Sequence, residues 1–106
     1  MKRLLCGTIA LLWATGLVSA QVVINEFAYD DTGTDDVEFV ELYNAGSTAV
    51  DISGWTLQSG DQLTGDNNAD YTIPSGTVLQ PGDYYVIGSG NVPTVDQVVG
   101  ANNLFE

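Results

Sequence analysis

The chain of 106 residues has no histidine, a single cysteine (Cys6) and only two basic side chains, Lys2 and Arg3. After Ala20 there is no Lys, Arg, His or Cys at all. These absences exclude a long list of chemistries. A Ser-His-Asp or Cys-His nucleophile system has no base or thiol to build on. Zinc sites of the usual Cys/His kind are excluded as well. Disulfide bonds are impossible, although an exported compartment would permit them. Affinity for nucleic acid grows with the number of phosphates neutralised by cations, and none is available after Ala20. Helical periodicity is missing from the same stretch, as are long apolar runs.

Acid is present in quantity: 14 Asp and Glu give a formal charge of −12 for the whole chain. A surface of this kind is repelled by DNA, RNA and anionic membrane alike, so neither direct nucleic-acid binding nor membrane binding is expected. Carboxylate chemistry, hard-cation binding, aromatic stacking or no chemistry at all remain open.

The first twenty residues read as an export signal. Lys2 and Arg3 precede an apolar run from Leu4 to Val18, and Val18-Ser19-Ala20 offers the small residues a signal peptidase inspects. The run is shorter than the roughly 20 apolar residues of a membrane span. Cys6 comes too early to carry a lipid. Cleavage after Ala20 predicts a secreted or cell-surface protein with no membrane span, consisting of one small domain over residues 21–106.

Strand signals recur after Ala20, separated by Gly, Asn, Asp, Ser and Pro. Val22 to Phe27 suggests a first strand. Val37 to Asn44 gives a second, with Val40 and Leu42 on one face and Phe39, Glu41 and Tyr43 on the other. Short strands over Thr48–Ile52 and Trp55–Gln58 follow. Tyr71–Ile73 and Thr77–Leu79 flank a Pro74-Ser75-Gly76 turn. After Pro81-Gly82-Asp83, Tyr84–Ile87 is apolar on both faces and reads as central. Gly88-Ser89-Gly90 lacks the lysine and the helix pattern of a phosphate loop, and reads as a connection. Turns every six to twelve residues with no helix between them predict an all-β, antiparallel sandwich or barrel.

Four segments in order carry a family likeness. They are Val23-Ile24-Asn25-Glu26, the run Glu38-Phe39-Val40-Glu41-Leu42-Tyr43-Asn44, the run Val50 to Leu57 containing Ser53-Gly54-Trp55, and Ile73-Pro74 through Leu79-Gln80-Pro81-Gly82. With them the chain resembles the lamin tail domain, in the version found in secreted bacterial proteins. The likeness runs from Val22 to about Phe105. It implies an immunoglobulin-like β-sandwich and a non-catalytic module, of the kind attached to secreted nucleases, phosphatases and cell-surface proteins. Relatives in the nuclear lamina are associated with DNA and chromatin through basic surfaces. This chain has no such surface, so that role is not carried over. The family pattern also implies further strands after residue 106, and Val98 to Glu106 leads into an apolar element without a terminating turn. The sandwich is therefore expected to be truncated at its C-terminus.

Candidate residues fall into five groups. Trp55 follows a Ser-Gly turn at a core-facing position, with a sugar-stacking platform as the alternative. Tyr84 and Tyr85 are adjacent and must face opposite ways, so one of them is the better stacking candidate. Asn44 ends a strand as a turn-former. Glu26 and Glu41 lie in successive strands that antiparallel pairing would set side by side, although nothing in the sequence predicts a cleft for catalysis. Finally, two acidic loops offer oxygen ligands that suit calcium. One holds Asp30, Asp31, Asp35 and Asp36 around Thr-Gly-Thr. The other holds Asp61, Asp66, Asn67, Asn68 and Asp70. Neither has the ligand order of an EF-hand, and a solvated acidic loop is the plain alternative. The reading is a non-catalytic structural or interaction module of an exported protein, with an unidentified protein or surface as partner and no cofactor beyond calcium. The alternatives are an accessory module of a secreted hydrolase, nuclease or phosphatase, whose catalytic domain lies beyond residue 106, and a calcium- or glycan-binding module.

Overall fold

A computed structural model describes residues 21–29, 33, 36–60 and 67–100; the expected signal segment and residues 101–106 lie outside the described residues. The strands, in chain order, are β1 (Val22–Ala28), β2 (Phe39–Asn44), β3 (Val50–Asp51), β4 (Thr56–Gly60), β5 (Asn67–Thr72), β6 (Val78–Leu79), β7 (Tyr84–Ser89) and β8 (Gln97–Gly100). No helix among the described residues is long and apolar enough to cross a membrane.

Period-two alternation settles the role of β2. It buries Val40, Leu42 and Asn44 and leaves Phe39, Glu41 and Tyr43 half-exposed, as the sequence predicts. On one side β2 pairs antiparallel with β1, and on the other with β7, which places Tyr84–Ser89 in the middle of a four-stranded sheet ordered β1-β2-β7-β8. Two short antiparallel ladders, β3-β6 and β4-β5, supply the opposing layer. Between the layers, Val40, Leu42 and Ile87 from the large sheet pack with Ile52, Ile73 and Leu79. Ile52 and Ile87 are fully buried. Burial of such a side chain contributes about 1.5–3 kcal/mol. The result is an all-β, immunoglobulin-like sandwich.

One pair departs from the antiparallel expectation. β8 runs parallel to β7, with Ile87 opposite Gln97 and Gly88 opposite Val98. Residues 88–90 were expected as a connection, but Gly88 and Ser89 are the buried end of β7. The reversal is made by residues 90–96, where Val92 N–H donates to Ser89 O at 3.1 Å and Val95 N–H to Val92 O at 3.3 Å. Asp96 then serves Val86 twice: its N–H donates to Val86 O at 2.8 Å, and its Oδ2 accepts from Val86 N–H at 2.8 Å. A carboxylate thus takes the place of a strand partner. Gly88 is required by close approach, since a Cβ there would lie 2.5 Å from Glu38 O and 2.7 Å from Phe39 Cβ.

Asn44 ends β2 with no exposed surface. Its Nδ2 donates to Thr48 O and to Leu79 O, both at 2.9 Å, and its Oδ1 accepts from Gly46 N–H at 3.0 Å. The side chain therefore forms the 45–48 turn, as expected, and also ties that turn to β6 across the core. Gly76 and Gly82 take φ of 83° in the Pro74 and Pro81 turns, a conformation that glycine adopts without Cβ strain.

Candidate functional site

The second layer does not reach across the whole inner face of the large sheet. In the β1–β2 register Val22 lies opposite Asn44 and Ile24 opposite Leu42, so both point to the core side. A bulge then lets Glu26 face Glu41, and Phe27 returns to the core side opposite Val40. Yet Ile24 is 58 % exposed and Phe27 60 % exposed. Core-facing residues of an edge strand are left uncovered.

Below them lies Trp55. The expectation that Trp55 packs in the core is overturned: it is 46 % exposed. It precedes β4 in a turn, where its N–H donates to Ile52 O at 3.1 Å and its carbonyl accepts from Ile73 N–H at 2.8 Å. Ile52 and Ile73 on either side occupy the inward positions, which leaves the indole at the rim. Ile24, Leu42, Trp55, Leu57 and Ile73, with Val22, line an apolar groove of about 200 Å³ between β1 and β4. Phe27 and Tyr29 extend the apolar surface beyond it, with ring centroids 5.9 Å apart.

The outer face of the sheet is different. Glu26 and Glu41 are side by side, as expected, and Asn25 Nδ2 donates to Glu41 Oε1 at 2.8 Å. The pair lies on an open sheet face and not in a cleft, a poor setting for acid–base work on a sugar. Tyr84 is the outward member of the Tyr84-Tyr85 pair, exposed and stacked on Tyr43 at 4.6 Å. Tyr85 faces inward, half-buried, and donates its hydroxyl to Gln97 Oε1 at 3.1 Å.

The calcium candidates divide. Asp30, Asp31, Asp35, Asp61 and Asp66 lie outside the described residues. Asp36 is half-buried; its carbonyl accepts from Ser89 Oγ and its Oδ2 from Asn91 Nδ2 at 3.3 Å. Asp70 was expected within a loop, but it belongs to β5, opposite Gln58, whose Nε2 donates to it at 3.1 Å. β5 also takes in Asn67 and Asn68, which were expected within the acidic loop. Among the described residues no three acidic groups converge as a metal site.

Glu38 was missed. It is 1 % exposed, and its charge acts with burial to raise the Tyr71 hydroxyl above the usual tyrosine range, burial being the larger cause. The period-two pattern that buries Val40, Leu42 and Asn44 reaches back to Glu38 and could have identified it.

A two-layer β-sandwich with an immunoglobulin-like core and an apolar groove beside an edge strand defines the class. More narrowly, this chain belongs to the lamin tail domain family, whose model matches residues 17–105. That family is a non-catalytic, immunoglobulin-like module. No curated protein and no solved structure matches the chain.

Proposed function

We propose that this domain is a non-catalytic structural and interaction module of an exported or cell-surface protein. The observation that carries the reading is the uncovered core-side face of β1, where Ile24 lines the groove with Trp55 and Phe27 continues the exposed apolar surface beyond it. A soluble domain with 14 acidic side chains has ample means to stay solvated, and a contiguous apolar rim on it marks a surface that a partner covers. Export is supported by the basic start, the apolar run and Val18-Ser19-Ala20.

Photo-crosslinking in the producing cell tests the reading. A benzophenone side chain at position 24 or 55 is expected to give a discrete adduct in the envelope or medium, whereas one at the exposed Thr48 is not. Equal labelling from all three positions would refute a groove-centred role. So would hydrolytic turnover on phosphoester, peptide or glycan substrates that disappears in Glu41→Gln.

A further inference from the structure

The groove does not stand alone; it runs beside a strand edge. β1 is the outermost strand of its sheet, and among the described residues nothing pairs with its outer side. In an antiparallel ladder alternate residues turn their backbone groups to the neighbour and the others turn them away. Gln21 O accepts from Ala45 N–H at 2.7 Å, on the β2 side. By alternation Val22 and Ile24 direct their N–H and C=O outward. Those same two residues point their side chains into the groove. An added strand that bonds to Val22 and Ile24 would therefore place every second side chain over Trp55 and Leu57, in apolar surroundings.

Its remaining side chains would fall on the outer face, beside Glu26 and Glu41. Two carboxylates opposite one another on a ladder repel, and no base within the domain relieves them. A cation arriving there meets both. A second copy of the chain would instead bring more carboxylates to this edge, so charge argues against self-pairing. The bulge between Ile24 and Glu26 also breaks the regular edge, which discourages long promiscuous pairing and limits a guest to a short run.

We propose that the outer edge of β1 and the Trp55 groove together accept an extended polypeptide segment in which apolar residues alternate with lysine or arginine, added as a further strand. This rests on the interaction role proposed above and names its partner chemistry. Main-chain bonds to Val22 and Ile24 supply pairing, the groove selects the apolar positions, and Glu26 with Glu41 selects the basic ones.

The test uses the protein recovered after expression of the full chain, with acetyl-Lys-Val-Lys-Val-Lys-Val-Lys-amide as probe. A block peptide of the same composition, four Lys followed by three Val, controls for charge alone. The alternating peptide is expected to bind at least roughly tenfold more tightly and to slow exchange of the Ile24 amide hydrogen. Ile24→Pro removes an outward donor without removing a β1–β2 bond, as edge strands tolerate, and is expected to weaken binding by roughly tenfold. Should that variant fail to fold, the Ile24 exchange measurement on the unsubstituted protein decides alone. Equal binding of both peptides, unchanged Ile24 exchange on binding, or a dimer formed without peptide would each overturn the proposal. Peptide contact at Trp55 with unchanged Ile24 exchange defeats strand addition while leaving the interaction role intact. Failure of the position-24 and position-55 crosslinks defeats the role itself.

Discussion

Replacing Asn44 tests how the sandwich is held shut. Its side chain makes three hydrogen bonds, two donated to Thr48 O and Leu79 O and one accepted from Gly46 N–H. Asn44→Ala removes all three and strands their partners, of which the Leu79 bond is fully buried. Each net bond contributes about 0.5–1.5 kcal/mol, and a buried group left unsatisfied costs about 1–3 kcal/mol. A loss of about 3–5 kcal/mol is expected, a large share of the ~5–15 kcal/mol that holds a small domain. Asn44→Asp is the sharper variant. It keeps the acceptor for Gly46 but aims a carboxylate oxygen at two carbonyls, so at neutral pH it should be no more stable than Asn44→Ala. Protonation restores a donor. The introduced carboxyl therefore has a raised pKa in the fold, and its stability is present at low pH and lost as pH rises through that value. Urea unfolding of both variants at pH 7 and pH 4 measures this. An Asn44→Ala loss under about 1 kcal/mol, or an Asn44→Asp protein as stable as the parent at pH 7, would refute the arrangement.

Gly88→Ala drives a Cβ against Glu38 O and Phe39 Cβ, and should cost about 1–3 kcal/mol in a thermal melt, although its backbone needs no left-handed φ. Ile52→Ala should cost about 2–5 kcal/mol in denaturant, whereas Trp55→Ala should cost under about 2 kcal/mol because the indole is at the rim. At alkaline pH, burial favours the neutral phenols of Tyr71 and Tyr85 and holds both above the usual tyrosine range. Their contribution is complete below about pH 10 and declines as pH rises through the folded values, so Tyr71→Phe should move the midpoint of base-induced unfolding upward. Millimolar calcium and magnesium should raise the melting temperature equally, by screening the acidic surface. A shift confined to calcium would instead assign an ion site to the Asp30–Asp36 or Asp61–Asp66 segment.

Much of the fold was legible because its signals are local. The alternation in Val37–Asn44 predicted the buried face of β2, and antiparallel pairing of successive strands predicted Glu26 beside Glu41, although it is the bulge after Ile24 that brings them level. The Pro-Ser-Gly and Pro-Gly-Asp turns fell where expected. What was hidden depends on distant neighbours. Gly88 is glycine because Glu38, fifty positions earlier on the chain, lies against it, and no window around Gly88 carries that information. β8 was unreadable for a related reason: Asp96 caps Val86 with its side chain, and a carboxylate among turn residues normally signals solvent. Trp55 was misplaced because size and position after a turn suggested a core anchor, while Ile52 and Ile73 had already filled the centre. The groove followed from that same displacement and was equally invisible in the sequence.

The position of β7 at the centre of the large sheet has a kinetic consequence. Tyr43 meets Tyr84 and Phe39 meets Gly88, so the two strands that anchor the core are separated by roughly forty to fifty positions, the range that slows folding through chain-closure entropy. Until residue 89 is available, β1 and β2 lack their central neighbour β7, and their apolar side has only the short two-stranded ladders β3-β6 and β4-β5 to pack on. A two-stranded ribbon is marginal in water, so the nascent chain has no stable intermediate to stop at. If the chain is exported unfolded through a membrane pore, as proposed above, late closure would keep it threadable until its second half arrives on the far side.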